Sequence, residues 1–416
     1  MKKVISLIVV LAMLALSCFA LTSCGENTTS NTLKVGAILV GDETEGYTLA
    51  HMNGIQGAVD ALKAKGYTVE VNYKKMVPEG SDVETNVNDL IANGCQIIIT
   101  NSYGHQFYFG DTIKNNPDVT FVAMTGDLAT STGLSNYFNA FTDVYESRYA
   151  SGVVAGYKLK ELLDNGLVTS NNYDAAGNVK IGYVGAFNYA EVVSGYTAFF
   201  LGIKSVVSNV SMTVKYTNSW FSVEREAAVA EYLMAQGCVI IGQHADSTGA
   251  PAAVEAAHKN GTYTNVYSVG YNVSMLDVAP TVALTSPTNN WEVYYETLFT
   301  AVATKSQVPA EWAEGYSQKA VGTTELGKSN AASAQAALDA TVKGIKDGSI
   351  KVFNCDTFTV KGEKVTSYTN SYGFEGNECI VTKDGVTYFD ESSLRAAPYF
   401  DLRIDGITEV ASDYAD

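Results

Sequence analysis

Histidine and cysteine are scarce in this chain, four and six among 416 residues, and they do not fall into ligand spacing. There is no Cys-x-x-Cys pair, no His-Glu-x-x-His and no Gly-x-Ser-x-Gly elbow, so the common zinc sites, metalloproteases and serine hydrolases find no motif here. Basic charge is equally short: 27 Lys and Arg stand against 44 Asp and Glu, a net charge of -17, with no Lys/Arg cluster or basic helix face. Such a surface repels phosphate backbones and anionic headgroups, which argues against a nucleic-acid partner and leaves solubility as the main consequence of the charge. Apolar residues, in contrast, make up 46% of the chain, enough over this length to fill two ordinary domain cores without disulfide staples. Cys95 and Cys238, each beside a strand-like apolar run, read as buried small residues.

Met1-Lys2-Lys3 leads into an apolar run over residues 4–21, then Leu21-Thr22-Ser23-Cys24 and a polar stretch over 25–31. A positive n-region, an apolar h-region and a small-residue cleavage site make a secretory signal over residues 1–23, and a Cys just after the cleavage point is placed to carry a lipid. The apolar run is short for a membrane span. Cys24 is therefore expected to be lipidated, 24–32 to be a linker, and the rest to work at the outer face of the cell membrane.

From residue 33 short apolar runs alternate with amphipathic stretches. Strands are expected at 33–40, 68–73, 96–100 and 119–124 with helices at 48–65, 82–93 and 105–115; strands at 179–184, 212–217, 239–243 and 266–269 follow with helices at 189–207, 222–236 and 250–260. This alternation predicts parallel sheets covered on both faces. The halves also echo each other. Ala92-Asn93-Gly94-Cys95 precedes Ile97-Ile98-Ile99, and Ala235-Gln236-Gly237-Cys238 precedes Val239-Ile240-Ile241, each Gly sitting where a helix end needs a left-handed residue. Polar loops follow both strands, Asn101-Ser102-Tyr103-Gly104-His105 and His244-Ala245-Asp246-Ser247-Thr248-Gly249. Ligands collect at the carboxyl ends of strands in open α/β sheets, so two facing lobes predict a cleft lined by these loops. After residue 317 an Ala-rich helix is expected over 328–349, then short strands over 352–389 with turns at Lys361-Gly362 and Asp384-Gly385. Cys355 and Cys379 bracket part of that segment, and in an exported chain a disulfide between them is one expectation.

Further markers stand in order along the chain: Lys34-Val35-Gly36, Gly46-Tyr47-Thr48 with Ala50-His51, Tyr145-Glu146 with Arg148-Tyr149, Ile181-Gly182-Tyr183-Val184, Trp220-Phe221, Gln243-His244 with Asp246-Ser247, Leu284-Thr285-Ser286 and Asn290-Trp291 with Tyr294-Tyr295. With the signal and the two-lobed pattern, the chain resembles the basic membrane protein family of ABC-transporter solute-binding lipoproteins. That resemblance implies a periplasmic-binding-protein type I fold: two doubly wound parallel-sheet lobes joined by three crossovers, closing on a small ligand for delivery to a permease. The expected division is 33–140 with 273–315 as lobe 1, 141–272 with 316–350 as lobe 2, and 351–416 as a strand-rich extension packed on lobe 2. Crossovers are expected near 136–141, 270–272 and 284–290. The resemblance points to a purine base or nucleoside as ligand, to a monomer, and to no cofactor, metal or enzymatic activity.

A purine is a flat uncharged ring with donors and acceptors along its edge, so its site needs aromatic faces and a few in-plane polar groups. Tyr47, Tyr103, Phe187, Trp220 and Trp291 are candidate faces; Asn101, Asp246, Ser247, Asn272 and Asn290 are candidate edge readers. Each has a plainer role too. Tyr47 suits surface packing, Trp220 a lobe core, and Asp246-Ser247 a helix cap before Ala250. His244 lacks a ligand-spaced neighbour and reads as a satisfied polar residue near the cleft. Asn272 replaces the acid of relatives, and Pro287-Thr288-Asn289-Asn290 lacks the basic residue of nucleoside binders, which favours a free base. Riboflavin, a sugar, a receptor role at a membrane sensor and a secreted nucleoside hydrolase using Asp42 and Asp246 are the alternatives. Gly322-Thr323-Thr324-Glu325-Leu326-Gly327-Lys328-Ser329 matches the phosphate-loop pattern, but only Ala320-Val321 precede it and Glu325 would sit among the phosphates, so nucleotide binding is not expected.

Overall fold

The computed structural model describes residues 31–370 and 376–415. The expected signal sequence and lipidation at Cys24 lie outside the described residues. Two parallel sheets form the frame, six strands in one lobe and five in the other.

Lobe 1 contains β1 (Thr32–Ile38), β2 (Thr68–Lys74), β3 (Ile97–Thr100), β4 (Thr120–Met124) and β5 (Tyr137–Thr142), joined late in the chain by β11 (Glu311–Glu314), in the order β11-β5-β4-β3-β1-β2. All these pairs are parallel. Every residue of β3 is buried, as a strand with helices on both faces must be, whereas β2 alternates exposed with half-buried positions at the sheet edge. Helices α1 (Gly46–Ala64) and α2 (Asp82–Ala92) cover the faces. The helix expected over 105–115 is divided into a 3-10 turn at Tyr103–Tyr108 and α3 (Gly110–Asn115). Phe109 breaks it, its ring drawn into the core beside Phe121 and Tyr137, each 6.2 Å away between ring centres.

A short helix α4 (Ala129–Thr132) precedes β5. Lobe 2 contains α5 (Val144–Asp164), β6 (Val179–Gly185), α6 (Ala190–Lys204), β7 (Val210–Tyr216), α7 (Val223–Ala235), β8 (Ile240–Gln243), α8 (Gly249–Lys259) and β9 (Tyr267–Val269). β15 (Ile407–Val410) returns from the C-terminus to complete the order β15-β7-β6-β8-β9, again all parallel. Two glycines let α5 and α6 touch backbone to backbone: a Cβ on Gly152 would lie 2.2 Å from the Phe199 carbonyl oxygen, and one on Gly202 2.2 Å from that of Tyr149.

The internal echo is present in the backbone. Gly94 and Gly237 both take positive φ, 80° and 89°. In each half the following Cys donates its N–H to the carbonyl five residues back, Cys95 to Leu90 and Cys238 to Leu233, both at 3.1 Å.

The chain crosses between lobes at Asp143, again where β10 (Pro287–Asn289) leads into α9 (Glu292–Thr304), and finally where β11 passes into β12 (Val321–Thr323), which pairs antiparallel with β10. Two expected boundaries move as a result. Residues 270–272 do not cross; they run beside 285–287, with Asn272 N–H on the Pro287 carbonyl at 3.0 Å. Residues 273–286, expected in lobe 1, fold back into lobe 2 because Met275, Ala279, Val282 and Ala283 are buried against Val229, Leu233 and Val254 of α7 and α8.

Beyond α10 (Ala334–Lys346) the described residues of the tail are less strand-rich than expected, with one hairpin among them, β13 (Ile380–Lys383) with β14 (Val386–Phe389), and then β15. Asp384-Gly385 and Lys361-Gly362 do form tight turns, all four residues at positive φ. The disulfide expected between Cys355 and Cys379 is not formed: both thiols are buried and free. Each sulfur packs in the lobe 2 core and faces a carbonyl two residues upstream, Phe353 and Asn377 respectively. The phosphate-loop look-alike leads into no adjacent helix. Gly327 instead packs on the Ala283 carbonyl and Ser329 Oγ donates to Thr281 O at 2.6 Å.

Candidate functional site

Loops from the carboxyl ends of strands in both lobes converge on one cavity of about 520 Å³. Lobe 1 supplies Val40, Glu45, Tyr47, Asn101, Tyr103 and Asp127; lobe 2 supplies Phe187, Tyr189, Glu191, Trp220, His244 and Asp246. The volume lies in the range of small-molecule sites, and the place is where open α/β sheets hold ligands.

Aromatic rings form one wall. Phe187 and Tyr189 are stacked at 5.4 Å, and Trp220 meets them edge-on at 5.0 Å and tilted at 6.0 Å. Tyr103 reaches from the other lobe to within 6.0 Å of Tyr189. Tyr47 lines the cavity with its hydroxyl donated to the Asn101 carbonyl at 2.5 Å. Burial keeps the Tyr47 and Tyr103 phenols neutral by pushing their pKa values up.

The polar floor is rich in carboxyl groups. Asp246 is 6% exposed and accepts from Asn272 Nδ2 at 2.7 Å. Burial above all, and then the charges of Glu45, Glu226 and Glu191, raise its pKa well above the ordinary carboxylate range. His244, equally buried, holds Glu191 through Nε2 at 2.8 Å. Burial, reinforced by the Arg148 guanidinium, lowers the His244 pKa, so a neutral imidazole donates to Glu191. Arg148 lies behind this wall with its guanidinium 3.8 Å from the centre of the Tyr271 ring, donating to Tyr183 Oη and the Gln243 carbonyl.

Of the residues expected from sequence, Tyr47, Asn101, Tyr103, Phe187, Trp220, His244 and Asp246 line the cavity; Ser247, Asn272, Asn290 and Trp291 do not. Ser247 Oγ accepts from Gly249 N–H at 3.1 Å, closing a turn just ahead of α8 whose N-cap is Thr248, while its own N–H is held by Glu226. Asn272 stands under Asp246, its other amide atom accepting from Asn289. Asn290 ties the crossovers together through the Lys319 carbonyl. Trp291, offered as a ligand face, is instead in the lobe 1 core, 1% exposed and stacked on His51 at 4.5 Å. Its apolar surface is better used there, where β10 hands the chain to α9 and no solvent reaches. Asn101 contributes wall more than edge, since its amide is already used by Val40 N–H and Thr48 Oγ1.

Sequence reasoning missed Glu45, Glu191, Tyr271, Asp127 and Arg395, all cavity-lining. Glu45 and Glu191 were findable, each lying at the start of a helix that follows a strand of the repeat. Arg395 was not, because it lies 268 residues from its partner Asp127. Among the described residues no group of His, Cys, Asp and Glu is arranged to hold a metal ion, and no helix is long and apolar enough to cross a membrane.

A family model of PnrA-like ABC transporter substrate-binding proteins (Bmp) matches residues 43–354. A purine-binding protein of Brucella abortus is 34% identical over 264 residues, covering 63% of this chain and 67% of that protein. Among solved structures, a solute-binding protein of an Aeropyrum pernix ABC transporter system superposes with a TM-score of 0.60 at 14% identity, covering 77% of this chain and 93% of that one. One from Conexibacter woesei gives 0.55 at 18% identity, covering 77% and 98%. These neighbours share the periplasmic-binding-protein type I architecture, two parallel-sheet lobes about a cleft, and the chain belongs to the PnrA-like family of ABC transporter substrate-binding proteins.

Proposed function

We propose that this protein is an extracytoplasmic lipoprotein, anchored through Cys24, that binds a purine base in the inter-lobe cavity and delivers it as a monomer to an ABC permease. The observation that carries the reading is the cavity's composition: aromatic rings from both lobes around a floor of carboxyl groups. A planar base gains about 1–3 kcal/mol per aromatic stacking contact. Its N–H groups match the acceptors of Asp246 and Glu45.

Charge narrows the ligand class. Among the carboxyl groups of the floor Glu191 stays ionised, its pKa lowered beside His244, whereas Arg395 is paired with Asp127 and Arg148 is set behind Tyr271. A phosphorylated nucleotide would face net repulsion, and a neutral base would not. A free base is favoured over a nucleoside because Asn272 and Asn290 are both occupied within the protein. The identity with a purine-binding protein of B. abortus supports the same assignment.

Closure follows from the two-sided site. A base between Tyr47 and Tyr103 on one lobe and Trp220 on the other stabilises the closed form, because only that form touches it from both sides. Thermal-shift screening of the mature domain tests this, since a ligand that binds only the folded state raises its melting temperature. Adenine, guanine, hypoxanthine or xanthine should raise it more than nucleosides do; a response to riboflavin or a sugar alone would overturn the purine assignment.

A further inference from the structure

We propose that residues 391–398 form a third wall of the ligand cavity and that Arg395 is a positioning residue which slows ligand release. The inference rests on the reading of the cavity as the ligand site. The segment lies beyond the family match, which ends at residue 354.

Three observations join the segment to the site. Arg395, Ala397 and Pro398 line the cavity directly. The segment is also fixed to both lobes. At its start Glu391, 6% exposed, accepts from Ser194 Oγ of α6 and from Phe400 N–H, both at 2.9 Å. Further on, Ala396 N–H donates to Glu311 Oε2 of β11 at 2.9 Å, and Arg395 Nη1 donates to Asp127 Oδ2 beyond β4 at 3.1 Å. Between these anchors Ala396 and Ala397 pack on Phe141, Val144 and Tyr271, where the chain passes between the lobes.

The third observation is what Asp127 does. The same carboxylate accepts from Tyr103 Oη and from Gln106 Nε2, both at 3.1 Å. Arg395 therefore holds the group that orients Tyr103, an aromatic face of the cavity. Its guanidinium is itself fixed, Nε on the Ala397 carbonyl at 3.0 Å and Nη2 on that of Pro398 at 3.3 Å. The Arg395–Asp127 pair is 10% and 13% exposed, so solvent screens it little. Arg395–Asp127 and Ala396–Glu311 on lobe 1 and Glu391–Ser194 on lobe 2 thus tie the lobes through one segment, and opening strains that tie. A tie of that kind acts on departure of the ligand far more than on its arrival.

Stopped-flow binding on the full mature chain tests the proposal, with adenine, guanine, hypoxanthine and xanthine as probes. Arg395→Ala should release the bound base about tenfold faster with the association rate little changed. Arg395→Lys should recover part of the loss. Lys364→Ala, which removes a surface pair with Asp356 in the same extension, should release at the wild-type rate. Should Arg395→Ala fail to fold, Asp127→Asn, which keeps the shape of that side chain, carries the same test. Wild-type release rates in Arg395→Ala or Asp127→Asn would overturn the third wall and leave the cavity reading intact. Absence of binding of all four bases to the wild type would overturn the purine reading and this proposal with it.

Discussion

Truncating Trp220 to Ala removes the largest ring of the aromatic wall and the edge against which Phe187 and Tyr189 rest, 5.0 and 6.0 Å away. Loss of one stacking face costs about 1–3 kcal/mol. The loosened neighbours add about 0.5–1.5 kcal/mol for each aromatic pair disturbed. With two pairs disturbed the sum is about 2–6 kcal/mol, and since about 1.4 kcal/mol is tenfold in affinity, Trp220→Ala should weaken base binding by about 30-fold or more. Trp220→Phe keeps a face and should lose less. The assay is built into the chain, which has three Trp. Trp291 and Trp312 lie in the lobe 1 core at 1% and 6% exposure, so a ligand-dependent change in Trp emission originates at Trp220. In Trp220→Phe the fluorescence response should disappear while calorimetry still records binding. An unchanged Kd in Trp220→Ala, or a ligand-dependent signal that persists in Trp220→Phe, would refute the aromatic clamp.

Other consequences can be measured on the same protein. Because burial and neighbouring carboxylates raise the Asp246 pKa, its ionised form is disfavoured in the fold. Asp246→Asn should raise the melting temperature of the ligand-free protein at pH 7 while weakening base binding, and its stability advantage should shrink as the pH falls towards 4. A lower melting temperature at pH 7 would contradict this account. Burial likewise pushes Asp143 up to about 8 and Glu146, Glu226 and Glu391 to about 7. Raised carboxyl pKa values mean that the native state binds more protons, so stability should decline as pH rises from about 4 to about 8, and calorimetry should give a higher melting temperature at pH 5 than at pH 8. Gly152→Ala places a methyl against the Phe199 carbonyl and should cost about 1–3 kcal/mol of stability or more, read from denaturant unfolding. Gly110→Ala, where a Cβ meets nothing within 4 Å, is the neutral control.

The frame was legible because burial on both faces demands uninterrupted apolar strands, and 97–99 and 239–241 read that way without context. The Gly-Cys helix ends were legible too, since a left-handed residue followed by a strand has a local signature. Local signals failed where a single residue decided. Phe109 ended a helix by entering the core, and the first crossover, expected near 136–141, falls at Asp143 just after β5. Residues 273–286 carry irregularly spaced apolar positions, which say that they are buried without saying in which lobe. The site followed the same division. Loop residues directly after strands were found, because the topology places them at the cleft. Trp291 was placed wrongly since a Trp entering a helix reads alike whether it faces a ligand or a core. Asn272 and Asn290 were offered to the ligand, and the fold uses both to hold its own crossover segments. The contribution of 391–398 depends on contacts between residues hundreds of positions apart, which no periodicity reveals.

Isothermal titration of the mature domain with the four purine bases, inosine, adenosine monophosphate, riboflavin and glucose addresses the central claim most directly. The account predicts one-to-one binding of at least one base, weaker heat from inosine and none from the nucleotide, whose phosphate would meet the ionised Glu191. Binding of riboflavin or glucose with no response to any base would contradict it.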